Sequence, residues 1–162
     1  MEKVKRENEI KPMKKLDEKD HKALAIWAAD CAERVLHYFE ERYPEDNRPR
    51  KAIEACREWA RTGVFKMTNV RRDALAAHAA AREVGEDNAA RSAARAAGQA
   101  LAAAHVPTHA LAAASYALQA VRRATDSDDA IVRERNWQFQ HLPETLRLFI
   151  KAGVSRYRKN KT

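Results

Sequence analysis

Apolar residues return every three or four positions along most of this chain, in stretches cut by proline, glycine or capping residues, and never in the alternation a strand requires. Leu24, Ala28, Cys31, Val35 and Tyr38 share one face of a first helix that Asp17 or Asp20 can cap and that stops before Pro44. The linker 43–47 ends in Asn47, a capping residue, and Pro49 suits the first turn of a second helix over about 48–61. Ala52, Cys56 and the pair Trp59/Ala60 point inward there, and Gly63 ends it. Thr68 or Asn69 can cap a third helix, whose stripe is Val70, Ala74, Ala77, Ala81 and Val84 and whose stop is Gly85.

Asp87 opens a fourth helix of nearly continuous alanine through residue 105, and Pro107 separates it from a fifth over about 108–125 with the stripe Leu111, Ala114, Leu118 and Val121. Ser127 caps a last helix on which Val132, Asn136, Phe139, Leu146 and Ile150 keep one phase across Pro143, as a kink or two coaxial pieces would allow. The expectation is an all-α fold: six or seven alanine-rich, closely packed helices in a bundle or a short helical superhelix. No clean period of about 30–50 residues repeats, which favours the bundle.

Composition strengthens this picture. Roughly a fifth of the residues are alanine, the best helix former, and only 4 glycines and 5 prolines interrupt them. A chain of 162 residues suits one domain. The expected division is a lysine-rich arm over 1–16, a domain over 17–150 and a basic tail over 151–162.

Charge changes the picture by its placement. The net charge of +8 and pI near 9.7 suggest nucleic acid, but the excess sits at the two ends, and residues 20–150 are almost neutral. Nucleic acid is therefore not expected as a partner, since its phosphates need a basic surface on the domain that orients them. Neither an apolar leader nor a membrane-length apolar run is present, and Cys31 and Cys56 show no paired or metal-type spacing. These features suggest a cytoplasmic protein with two cysteines used as small buried apolar groups.

Candidate chemistry lies where polar residues interrupt alanine. The fourth helix carries Arg91, Arg95, Gly98 and His105 near one face, with Gln99 beside it. Alanine surrounds Arg95, so it is either on a solvated face or buried with carboxylate partners, for which Asp30, Glu33 and Asp73 are candidates. Asp30 and Glu33 share a face of the first helix, but no matching glutamate–histidine pair accompanies them, so no metal or other cofactor is assigned. His78 lies four before Arg82, and His105 and His109 flank Pro107; each suits a core or rim histidine better than a ligand. Arg48 and Arg50 flank Pro49 at a helix start, where they can bind an anion or pair with Glu45, Asp46 or Glu54. No hydrolase or phosphate-loop motif is present, and no catalytic residue is assigned.

The segments Asp20-His21, AIWAADCAE over 25–33, NRPR over 47–50, AAHAAAR over 76–82, AARAAGQ over 93–99 and AHV over 104–106 resemble, in order and spacing, a family of small prokaryotic all-helical proteins termed putative immunity proteins. The resemblance implies neutralisation of a toxin by direct, stoichiometric binding. Some family members also carry an exonuclease-type label, for which this sequence has no acidic metal cluster. Near-neutrality of the domain argues against a basic nuclease as the target. Tyr43, Arg48 and Arg50 form the most compact contact patch. The alternative is a small ligand-binding or hydrolytic domain with a pocket gathered from His21, Asp30, Glu33, Arg50, His78, Arg95, Gln99 and His105, with Arg82 beside His78. Association between copies of the chain stays open.

Overall fold

A computed structural model of the chain describes residues 16–147. The expected tail over 151–162, the predicted inward Ile150 and all of the expected arm but Leu16 lie outside them; Leu16 packs against the core. The described residues form six helices, α1 (Glu18–Glu40), α2 (Arg48–Thr62), α3 (Met67–Glu83), α4 (Ala89–Ala102), α5 (His109–Thr125) and α6 (Asp128–His141), and no strand. A further helical turn begins at Glu144, so the last predicted helix is broken at Leu142 and Pro143. The fold is the all-α bundle that the periodicity predicts.

Local chemistry explains most of the boundaries. The Asp17 carboxylate accepts the Asp20 backbone N–H at 2.8 Å, and Ser127 caps α6 in the same way through Ala130. Gly63 ends α2 with φ of 71°, a left-handed conformation that glycine adopts without steric cost. Two expected caps differ. The α3 helix starts at Met67 after Lys66, without a side-chain cap, so Thr68 and Asn69 lie inside its first turn. Asn88, not Asp87, caps α4 by accepting the Arg91 N–H, which leaves Asp87 free to pair with the Arg91 side chain. The α4 helix also stops at Ala102, and tighter turns carry the chain to Pro107.

The α4 helix lies at the centre, packed by α1, α2, α3 and α5, and α6 covers α5 at the edge. A helix enclosed on so many sides cannot show a one-sided apolar stripe, so Ala90, Ala93, Ala94, Ala96, Ala97 and Ala100 are buried around most of its circumference. Alanine methyls bring the backbones close but fill little volume. The bulk comes from neighbouring helices: Leu24, Trp27, Leu36 and Phe39 on α1 and Ile53 and Trp59 on α2. Cys31 and Cys56 are buried free thiols, and the Cys56 Sγ–H lies 3.2 Å from the Ala100 carbonyl oxygen.

Two predicted faces are rotated, and a third departs at one position. On α5 the core is built from Ala110, Ala113, Ala114, Ala117, Ala120 and Val121, while Leu111 and Leu118 sit at the rim. On α6, Val132 (50% exposed), Asn136 and Phe139 (47% exposed) face outward, and Ile131, Glu134, Gln138 and Leu142 turn inward. Tyr38 on α1 is half-buried, and Phe39 takes the core position beside it. Burial on α6 follows hydrogen bonding here rather than hydropathy. Gln138 donates through Nε2 to the Ala114 carbonyl at 3.0 Å and accepts the Trp27 indole N–H on its own carbonyl at 2.8 Å.

Candidate functional site

Two charged regions emerge, and they differ in how completely their charges are matched. Between α1 and α2, Arg57 bridges Asp30 at 2.7 Å and Glu33 at 2.5 Å, and Arg50 pairs with Glu40 through both ends of its guanidinium, at 2.6 and 2.7 Å. Arg50 also reaches Glu33 at 3.9 Å. Arg48 pairs with Asp46 at 2.7 Å and with Glu83 at the end of α3. The hydrogen bond from Arg50 holds the Glu40 carboxyl below its ordinary range, and Arg48 does the same to Asp46. Asp30 and Glu33 thus serve Arg57 rather than Arg95, and Asp73 pairs with Arg72 at 3.0 Å. Asp46 is the one expected partner of the helix-start arginines that is realised; Glu45 and Glu54 make no ion pair among the described residues.

The second region lies over α4. The α3 and α5 helices pack on its two sides and hardly meet each other, leaving a strip of Arg91, Arg95, Gln99 and Ala102 partly open between them. Residues spaced four apart on a helix lie one above another, so Arg91, Arg95 and Gln99 form a line. Arg91 is anchored at both ends, by Asp87 at 2.7 Å and by the Ala81 carbonyl at 3.1 Å. Arg95, at the middle of the line, has no ion pair among the described residues. On the α5 side, His109 donates through Nδ1 to Gln99 at 2.8 Å, and Arg123 donates to the buried Ser92 hydroxyl at 3.0 Å, which itself donates to Gln119.

On the α3 side, the His78 ring lies against Gly98. A Cβ at Gly98 would stand 2.7 Å from Nε2 and 2.8 Å from Cε1, closer than side-chain carbons approach one another. Glycine in a helix interior costs about 1 kcal/mol relative to alanine, and here its absent side chain makes room for the imidazole. Burial lowers the His78 pKa, and the charges of Arg95, Arg82 and His109 lower it further; burial and then His105 do the same to His109. Both imidazoles are thus driven toward the neutral form. The shielded Nδ1 of His78 has no hydrogen-bond partner among the described residues.

The residues singled out from sequence thus divide among separate places. His78, Arg82, Arg95 and Gln99 come together at the α4 strip, and His105 stacks on Phe65 at 5.7 Å near its end. Asp30, Glu33 and Arg50 belong to the α1–α2 network. Tyr43 packs on Phe39 at 5.1 Å, beside the paired Arg48. His21 stands apart, 4.7 Å from the Trp59 ring and donating through Nε2 to the Ala103 carbonyl at 2.6 Å. Of the residues named for the alternative pocket, His78, Arg95, Gln99 and His105 lie at or near the α4 strip, and His21, Asp30, Glu33 and Arg50 lie elsewhere. Tyr116, Gln119 and Arg123, which the sequence reading does not single out, form one edge of α5 in line with His109, and their spacing of seven, three and four residues beside the alanine face is the available signal.

Among the described residues no cluster of three His, Cys, Asp or Glu side chains could hold a metal ion, and no helix is long and apolar enough to cross a membrane. No curated protein and no solved structure matches the chain. The family model described as Imm-5 like putative immunity protein matches residues 14–145, which include all six helices, and the chain belongs to that family.

Proposed function

We propose that this protein is a toxin-neutralising binding protein of immunity type, acting in the cytoplasm by one-to-one contact with a toxin domain. The family match over residues 14–145 carries the reading, because it takes in the whole helical frame rather than one motif. A bundle centred on an enclosed alanine helix supports it, since a rigid frame presents a surface with little ordering cost on binding. Contact through Tyr43, Arg48 and Arg50 would require both arginines to exchange an internal carboxylate for one of the partner's. The pocket of the ligand-binding alternative would draw on His78, Arg95 and Gln99 without Asp30 or Glu33, and so without the carboxylates that a hydrolytic reading relies on.

Co-expression with toxins encoded beside the gene tests the proposal. Restored growth and a one-to-one complex by light scattering are expected. If growth is not restored and no complex is recovered with any of them, the proposal fails.

A further inference from the structure

We propose that the open strip of α4, with Arg95 at its centre, is a docking surface for a carboxylate-rich segment of the partner protein, seated between α3 and α5. The proposal takes from the immunity-type reading only that the occupant is a protein. Its chemistry follows from how the arginines are matched. On α1, on α2 and in the turn between them, Arg34, Arg42, Arg48, Arg50, Arg57 and Arg61 each have a carboxylate oxygen within 3.4 Å. Around the strip, Arg82, Arg95 and Arg123 have none among the described residues. Asp87 is held by Arg91 while also feeling Arg123 and Arg95, and Glu83, beside Arg82, is held by Arg48. Positive charge on this face therefore exceeds the carboxylates that serve it, and a complementary surface is an acidic one.

The borders of the strip are also arranged before anything binds. Arg123 is steered by Ser92, His109 by Gln99 and His78 by its seat on Gly98, so these groups around Arg95 have little side-chain freedom left to lose. Arg91 to Gln99 spans about 12 Å along the helix, the length of about four residues of an extended acidic segment. Arginine suits that occupant because its planar fork accommodates both oxygens of a carboxylate. A nucleic-acid strand would also be drawn to arginine, but it gains affinity by stacking on aromatic rings, and Tyr116 on this face is partly buried against the core.

Binding of a fluorescein-labelled hexaglutamate peptide to the full chain, followed by anisotropy at low salt, tests the proposal beside a hexathymidylate strand. Arg95→Met and Arg123→Gln are each expected to weaken hexaglutamate binding about tenfold or more, while Arg133→Gln, on the exposed side of α6, leaves it unchanged. In the unsubstituted chain the peptide should also raise the pH at which the His78 ring titrates by NMR, since it offsets the cations around it. Because Arg123 is exposed, its variant keeps the test valid should Arg95→Met unfold on a thermal melt.

Hexaglutamate binding indifferent to both substitutions overturns the proposal. So does hexathymidylate binding that is tighter and loses the same factor, which would make the strip a nucleic-acid site. Toxin rescue that persists while the peptide result is negative removes this surface and leaves the neutralising role; a positive peptide result without rescue supports the surface and removes the role.

Discussion

Gly98 and His78 are understood only as a pair. Alanine at 98 would recover about 1 kcal/mol of helix propensity, yet its methyl would meet the imidazole ring at under 3 Å, and overpacking of that kind costs about 1–3 kcal/mol. Gly98→Ala is expected to destabilise the chain by about 1 kcal/mol in urea unfolding, and the same change in a His78→Ala background to stabilise it; additivity of the two substitutions would refute the coupling. Titration of the same ring gives a second prediction. A histidine pKa lowered on folding contributes stability that is complete above the unfolded value of 6.5 and is lost as pH falls through the folded value. Stability should therefore decline as pH drops below about 6.5, with a shallower decline when His78 is replaced by Gln. Arg95→Met, by removing a neighbouring cation, should move the His78 titration upward in NMR. The oddity of Arg95 among alanines was legible from residue types alone, but its surroundings were not. Asp30 and Glu33 were reasonable partners by type, and Arg57 from α2 reached them instead.

At the scale of elements, α6 shows how polar groups can outrank hydropathy. Its apolar Val132 and Phe139 face outward because Glu134 and Gln138 are drawn inward by partners on other helices. Glu134 is buried and accepts from two guanidinium nitrogens of Arg34, each at 2.9 Å, and Arg34 in turn lies 4.0 Å from the centre of the Trp137 ring. Removing the cation strands a buried carboxylate, which for a fully buried pair costs about 3–5 kcal/mol. Arg34 is 39% exposed, and solvent screening reduces the figure, so Arg34→Met should cost about 2 kcal/mol. Hydrogen exchange should then speed up in α6 before it does in α4; equal acceleration throughout would show that the pair does not hold α6 selectively. Helix number and order could be read from spacing, proline and glycine. The facing of α5 and α6 could not, because on α5 an alanine face beside leucines leaves two phases open and on α6 the phase depends on which distant groups accept hydrogen bonds.

For the whole molecule, the enclosed position of α4 governs how the chain meets its surroundings. Both thiols are shut inside the bundle, and burial pushes the Cys56 thiol up to about 12 and Cys31 higher still. Neither should react with a thiol reagent in the folded protein at neutral pH, and labelling should follow global unfolding in urea; rapid labelling without urea would contradict the packing of α1, α2 and α4. The bundle also separates two kinds of surface, an α1–α2 face whose arginines are matched and an α3–α5 face with arginines that are not. By itself the sequence determined the helical class, the near-neutral middle with basic ends, most helix limits and the family, because these depend on local propensity, spacing and capping within a few residues. Tertiary structure alone decided which arginines found carboxylates, which face of α6 turned inward, and that residues from α3, α4 and α5 surround Arg95. Those outcomes depend on groups from different helices meeting in space, and an alanine-rich helix packs in so many orientations that local pattern does not select among them.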